Sequence, residues 1–273
     1  MTIHIHDGMA VLRRKFEHDL FGQGVRGVVN EMLSAQRTDV HLWCFEGRYS
    51  LSARRKIFDG YKRRDSTMRD GMMPLIELVR EAMKHTRAIQ IQVDNREADD
   101  VIAHLCHVYG PTAVGGVKVH TVDRDLLVLQ TDNVSFPGLK PLKIVMDNSD
   151  HSKDVEVPPA QIPLYKALCG DPSDKIPGMP GFGPKTFAVT NRVRLQLAFD
   201  ALCRGDARPE LWVEAGVKHR TAERICAPEQ AELLRCYRKL IDFMPMPGDW
   251  EDGITPGVPN PDKVNEVLTK FKH

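Results

Sequence analysis

The stretch Leu168–Ala188, LCGDPSDKIPGMPGFGPKTFA, decides how the rest of the chain is read. It carries two carboxylates three residues apart, Asp171 and Asp174, and then a turn punctuated by Gly178, Gly181 and Gly183. Glycine lets a partner approach the backbone because no Cβ stands in the way. Pro184 suits the first turn of a helix, where its missing N–H would have had no intrahelical acceptor. Lys185 and Thr186 follow at once, so helix-start N–H groups and a cation come together in an arrangement that accepts phosphate. Taken alone, this is also the sequence of a capped turn between helices with two solvated acids. A phosphate cradle beside paired carboxylates points instead to a metal-dependent enzyme acting on a phosphodiester. The rest of the chain supplies seven more acids at telling positions.

Working outward, the N-terminal half alternates strands with helices. Residues 2–6 (TIHIH) read as a strand running into Asp7, with an amphipathic helix through Val11, Leu12, Phe16 and Leu20 and more helix over 28–33. Residues 40–45 (VHLWCF) read as a second strand ending in Glu46, and 74–85 as a helix with Leu75, Leu78, Val79 and Ala82 on one face. A third strand, 88–93, leads into Glu97, Asp99 and Asp100 and a helix with Val101, Leu105 and Val108. A fourth, 117–122, ends in Asp123 and Asp125, with 126–129 beginning a helix. Residues 134–136 and 142–146 read as an edge hairpin. Beyond 157 the strand signals stop, and the Pro- and Gly-rich 245–257 reads as a surface excursion before a last helix over 262–271.

This order predicts an α/β fold with a mostly parallel central sheet flanked by helices over 1–157, and a helical region over 158–273. Ligands of such sheets gather at the carboxyl ends of the strands. Four strands ending in acid would therefore bring Asp7, Glu46, Glu97, Asp99, Asp100, Asp123 and Asp125 to one edge. With Asp171 and Asp174 the count is nine, too many to stay ionised together without cations. Carboxylate oxygens are hard ligands and suit Mg²⁺ or Mn²⁺, and nine suffice for two ions and a water-bridged outer shell.

Composition bounds the reading without deciding it. The 273 residues are 42% hydrophobic and 27% charged, with a formal charge of +1, so global charge does not announce nucleic acid. Its distribution is more telling, because Arg48 to Arg69 holds eight Lys/Arg against two acids. No run approaches the roughly 18 apolar residues of a membrane span, and no apolar signal region follows the N-terminus, so a cytoplasmic protein is expected. The six cysteines form no C-x-x-C pair and read as reduced, mostly buried thiols. His104 and His107, three apart, read as ordinary helix residues, and Trp43 and Trp212 as core.

Together these motifs resemble the 5′-nuclease family, the flap endonucleases and 5′→3′ exonucleases, in its single-domain bacteriophage form. READDVIA (96–103), TVDRDLLVL (121–129) and GDPSDKIPGMPGFGPKTFA (170–188) carry the likeness, helped by the opening strand and WCFEG. The resemblance implies a PIN-like nuclease core with a helical arch near 48–73, and a helix-hairpin-helix in the 158–273 region that completes the same active site. It implies that Glu97, Asp99 and Asp123 hold one Mg²⁺, with Asp100 nearby. Asp125, Asp171 and Asp174 would serve a second, and Asp7 and Glu46 would act through water, Glu46 standing where the family usually has Asp. Mn²⁺ could substitute, and K⁺ could bind at the helix-hairpin-helix.

RKIFDGYKRRD (55–65) resembles the base of the arch and implies catalytic roles for Tyr61, Lys62 and one of Arg63 or Arg64. Lys62 would contact the scissile phosphate. Arg54, Arg55, Gly178, Gly181, Gly183, Lys185 and Thr186 would bind DNA through its backbone. The implied activity is a metal-dependent, structure-selective 5′→3′ exonuclease or flap endonuclease acting in replication, as in primer removal. Its partners would be DNA with 5′ ends or 5′ flaps and RNA–DNA hybrids. A monomer in the cytoplasm, or the host cytoplasm if viral, is expected. The alternatives are a DNA-binding protein that has lost catalysis, which nine retained acids oppose, and a PIN-type ribonuclease, which a duplex-gripping helical region opposes.

Overall fold

Short runs of Val, Ile and Leu alternating with other residues set the strands of the first half. The structure, a computed structural model, describes residues 1–17, 27, 29, 39–63 and 72–270. It divides into two compact units, one of Met1–Leu51, Asp65–Leu139 and Met244–His273, the other of Ser52–Arg64 and Lys140–Phe243. A single cut near 157 therefore does not describe the chain. The last helix returns to the first unit, and the segment after the second strand belongs to the second.

The first unit is built on a six-stranded sheet. Its strands are β1 (Ile3–Asp7), β2 (Val40–Phe45), β3 (Ile89–Gln92), β4 (Val117–His120), β5 (Val134–Ser135) and the late strand Ile254–Pro256. Their order across the sheet is β5-β4-β1-β2-β3 and then the late strand, all parallel except that last one. Successive side chains of a strand face opposite ways. Ile3, Ile5 and Asp7 therefore share a face with Leu42 and Cys44, against which the helix Ala98–Tyr109 packs. The other face carries Trp43 and Phe45, covered by the helices Gly8–Glu17, Met73–Met83 and Pro261–Thr269 through Leu12, Ile76, Val79, Met83, Val264 and Val267.

Two sequence expectations fail here for the same reason. Residues 134–136 and 142–146 do not form a hairpin: β5 adds parallel to β4, while Lys143–Ile144 pairs antiparallel with Val155–Glu156 in the second unit. The supposed excursion at 245–257 contains the sheet's edge strand, Ile254–Pro256, antiparallel to β3. Pro256 is tolerated there because an edge strand has one side with no ladder to complete. Strands of two or three residues carry too little pattern to be read. Residues 125–129 form a 3₁₀ turn rather than the start of an α-helix. Apart from Val29, the expected helix over 28–33 lies outside the described residues, as do the arch residues 64–71, with Arg64.

The second unit is helical. Helices Ser52–Ile57, Ile162–Cys169 and Arg192–Cys203 all pack on the long helix Pro228–Ile241. Its core includes Phe187, Leu195, Phe199, Leu202, Trp212, Leu234 and Leu240, each under 2% exposed. Trp43 and Trp212 are both buried, as the sequence suggested. All six cysteines are free thiols, with Cys44 and Cys106 fully inside and the rest half-buried. No helix among the described residues is long and apolar enough to cross a membrane.

Candidate functional site

In the first unit the acids sit where the parallel sheet ends. Asp7 closes β1, buried, and both its oxygens are engaged. Oδ1 accepts from Ala10 N at 3.1 Å, fixing the start of the following helix, and Oδ2 accepts from Thr121 Oγ1 at 2.9 Å. Thr121 also accepts from Asp123 N at 3.0 Å, and Asp123 Oδ1 in turn accepts from Asp125 N at 2.8 Å. A chain of short polar contacts thus links the ends of the neighbouring strands β1 and β4, and Thr121 is its middle link. Sequence reading missed Thr121, although a polar residue between an apolar strand and two acids is the available signal.

After β3, Glu97 and Asp100 form a reciprocal capping box at the start of the 98–109 helix, with Glu97 N donating to Asp100 Oδ2 at 3.2 Å. Such a box satisfies helix-start N–H groups that would otherwise be orphaned. Asp100 Oδ1 accepts from Met244 N at 2.8 Å, so both its oxygens hold backbone and the residue is 1% exposed. Asp100 therefore braces the helix start that carries Glu97 and Asp99. Burial, with the charges of Asp7, Cys106 and Asp99 behind it, pushes the Cys44 thiol well up. Glu46 is exposed just past β2, where Gln92 Nε2 donates to its backbone oxygen at 2.8 Å.

In the second unit a tight reversal aims the other acid pair. Asp171 and Ile176 exchange two backbone hydrogen bonds, at 2.8 and 2.9 Å, around the loop that holds Asp174. Asp171 Oδ1 accepts from Ser173 N and Oγ at 2.8 and 2.6 Å, and Oδ2 is ion-paired with Lys166 Nζ. Lys166 Nζ is also 3.7 Å from Asp174 Oδ2, and Lys62 Nζ is 3.6 Å from Asp174 Oδ1. Burial drives the Asp171 carboxyl up, but the Lys166 ammonium and the two Ser173 hydrogen bonds outweigh it and leave the group below its ordinary value. Lys166 was not among the expected residues, and its ammonium stands between the two carboxylates.

The basic segment divides more sharply than its sequence suggests. Lys62 sits at φ +46°, a backbone region that costs a non-glycine residue strain, and its N–H donates to Asp174 O at 3.2 Å. Arg55 Nε and Nη2 donate to the carbonyls of Tyr61 and Lys62, at 3.2 and 3.4 Å, bracing that turn. Arg63 is exposed and paired with Asp59 at 2.9 Å. Two expectations change. Arg54, placed on DNA by the sequence, is 3% exposed and donates to the carbonyls of Leu240 and Asp242, at 2.9 and 3.1 Å, so it caps the end of the long helix. Tyr61, expected to be catalytic, is 2% exposed and supports Lys62, whose Nζ lies 5.4 Å from its ring centre.

The glycines of the 178–183 turn also differ in kind. Gly178 has φ +73°, and a Cβ there would stand 2.4 Å from Gly170 N, so the fold itself requires it. Gly181 shares the positive φ, at +83°. At Gly183 the backbone is extended and a Cβ would meet nothing within 4 Å. That glycine has no internal reason, and Lys185 beside it is exposed. Pro184 opens the short helix Pro184–Val189, as its position implied.

Comparison with known proteins gives this arrangement a context. Residues 2–155 match the profile of the 5′-3′ exonuclease N-terminal resolvase-like domain. The chain is 31% identical over 198 residues to a 5′-3′ exonuclease of Bacillus subtilis, an alignment covering 66% of each chain. It is 34% identical over 134 residues to a 5′-3′ exonuclease of Aquifex aeolicus, covering 49% of this chain and 45% of that one. The chain thus spans about two thirds of one relative's length and under half of the other's. Among solved structures, the bacteriophage T5 flap endonuclease in a pseudo-enzyme–product complex with DNA and metal ions superposes with a TM-score of 0.61 at 18% identity, covering 100% of both chains. The T5 5′-exonuclease with bound zinc gives 0.58 at 20% identity over 99% of this chain and 98% of that one.

Proposed function

Because the chain belongs to the 5′-3′ exonuclease family through its N-terminal resolvase-like domain, we propose that it is a metal-dependent 5′→3′ exonuclease and flap endonuclease hydrolysing phosphodiesters of duplex or branched DNA. The observation that carries this reading is the acid edge of the sheet, where Asp7, Thr121 and Asp123 are linked at the ends of β1 and β4 and the Glu97–Asp100 box follows β3. All the donors are carboxylate oxygens, a set that fits Mg²⁺, with Mn²⁺ as a substitute. Such an ion, when bound, supplies charge to a developing phosphorane and activates water. Glu97, Asp99 and Asp123 would hold one ion and Asp171 and Asp174 another, with Asp7 and Glu46 acting through water. Asp100 keeps Glu97 and Asp99 in place.

Lys62 would donate to a non-bridging oxygen of the scissile phosphate as negative charge builds there, and its strained, doubly anchored backbone supports a preorganised role. Lys166 holds Asp171 and Asp174 in a ligand-ready geometry when no ion is there. Arg63 is exposed and available to phosphate, as are Lys185 and the open backbone at Gly183, where K⁺ could bridge to DNA. Such contacts read phosphate and not base, so binding should follow the shape of the DNA and weaken steeply with salt. RNA of RNA–DNA hybrids is a further substrate on this reading, and the enzyme acts as a cytoplasmic monomer in primer removal. The test is a 5′-labelled flap and a nicked duplex with and without Mg²⁺. The wild type should cut both only with metal, and Asp99→Asn should bind the flap but not cut it. Cutting by Asp99→Asn at the wild-type rate would remove the acid edge from the mechanism.

A further inference from the structure

A strand buried on both faces in a parallel sheet is usually apolar throughout. The sheet face opposite Asp7 breaks that rule. His4 and His6 on β1, His41 on β2 and His120 on β4 all point to it, His6 and His41 being buried, and none has a part in the phosphodiester chemistry above. The register sets His4 beside His41 and puts His6 between His120 and Trp43. Their rings stack along those rows, with centroids 4.5 Å apart for His4–His41, 4.6 Å for His6–His120 and 4.1 Å for His6–Trp43. Between the rows nitrogen meets nitrogen, His4 Nδ1 to His120 Nε2 at 2.9 Å and His6 Nε2 to His41 Nδ1 at 3.0 Å.

We propose that this histidine cluster is a binding site for a borderline divalent transition metal, Zn²⁺ first among them, separate in ligand chemistry from the carboxylates. Imidazole nitrogens suit Zn²⁺, Cu²⁺ and Ni²⁺, while Mg²⁺ prefers oxygen, so the two kinds of site select different ions. One nitrogen from each of His4, His6 and His41 lies within 4.8 Å of the others, and His120 offers a fourth beside His4. Four-coordinate Zn²⁺ takes nitrogens at about 2.0–2.1 Å, so the set must close by roughly an ångström. The terminal torsion of histidine is broad, which lets stacked rings fan inward at little cost. Asp39 stands behind His4, its Oδ2 3.7 Å from Nε2, and Thr2 N donates to its Oδ1 at 2.8 Å, so a small shift of the His4 ring would complete the outer support. A carboxylate behind a ligating histidine fixes the tautomer that leaves the other nitrogen for the metal. The ion would join β4, β1 and β2, three adjacent strands of the sheet.

The test is a titration of the chelator-treated full chain with Co²⁺, a spectroscopic stand-in for Zn²⁺. Four-coordinate nitrogen-bound Co²⁺ absorbs strongly in the visible, and six-coordinate oxygen-bound Co²⁺ absorbs weakly. A strong band is expected to saturate at one equivalent, to be bleached by Zn²⁺ and to survive excess Mg²⁺. His4→Gln and His41→Gln should abolish it, and Asp123→Asn should leave it intact. Zn²⁺ near a hundredfold its Kd should also raise the Tm by roughly 5 °C. If the histidine variants fail to fold, zinc-edge X-ray absorption of the wild type decides: three or four nitrogens with imidazole outer-shell scattering support the site, and an oxygen-only shell overturns it. So does the absence of the strong band, or its loss in Asp123→Asn.

Discussion

Replacing Lys166 by methionine separates two roles a buried lysine can have, structural partner or stand-in for a cation. The Lys166 and Asp171 side chains are each 9% exposed. Removing one member of a buried pair costs about 3–5 kcal/mol, because the other charge is left without compensation. Asp171 would keep its two bonds from Ser173, and methionine preserves the packing of the lysine stem, so the cost falls to the bottom of that range or just below it, ~2–3 kcal/mol. In a chain of this size that is a fall in Tm of roughly 5 °C in EDTA. Mg²⁺ at ten to a hundred times its Kd returns about 1.4–2.7 kcal/mol to any state that binds it. In the variant the ion enters a site with no ammonium to displace, so it should stabilise Lys166→Met more than the wild type and narrow the gap. The same comparison has a pH signature. The Asp171 carboxyl lies below its ordinary value of 3.8 in the folded protein. Its contribution is therefore present above about pH 4 and lost as pH falls through the folded value. The gap between wild type and variant should shrink in acid. The assay is thermal unfolding of both proteins in EDTA and in Mg²⁺. A gap that stays constant or widens with Mg²⁺ would refute the stand-in role and leave Lys166 a structural residue.

Three further outcomes follow from the same geometry. Lys62→Ala should lower single-turnover cleavage by about 10²–10³, the usual cost of one preorganised donor, with a smaller change in equilibrium binding; a loss confined to affinity would make Lys62 an ordinary phosphate contact. Gly183→Val should fold normally, since a Cβ there meets nothing within 4 Å, yet bind duplex more weakly while cutting short single strands as before; equal losses on both substrates would point to misfolding. Arg54→Met should cost about 2–4 kcal/mol in chemical denaturation by orphaning the Leu240 and Asp242 carbonyls, and should leave the DNA affinity of the folded fraction unchanged, where a drop in affinity would return Arg54 to the DNA-binding surface.

The parts of the molecule that could be read from sequence are those where one local pattern has one structural meaning. Apolar runs ending in Asp7, Glu46 and Asp123 are strands that end at a sheet's carboxyl edge, and β1, β2, β3 and β4 stand close to where those runs lie. The edge strand at 254–256 escaped because three residues, one of them proline, carry no period, and only pairing with β3 makes them a strand. Arg54 was misread for a related reason. Its neighbours Arg55, Lys56, Lys62 and Arg63 make it look like one more surface cation, and its acceptors lie 186 and 188 residues away. Asp100 shows the limit for acids: nothing local tells that this carboxylate also holds the backbone of Met244, 144 residues away. Lys166, like Thr121, had left a trace of its role. It is the single charge in the helix IPLYKALC, whose other buried positions are apolar. A lysine placed in such a helix must either reach solvent or find an anion. The nearest acids in sequence are Asp171 and Asp174, the two residues from which the reading of the chain began.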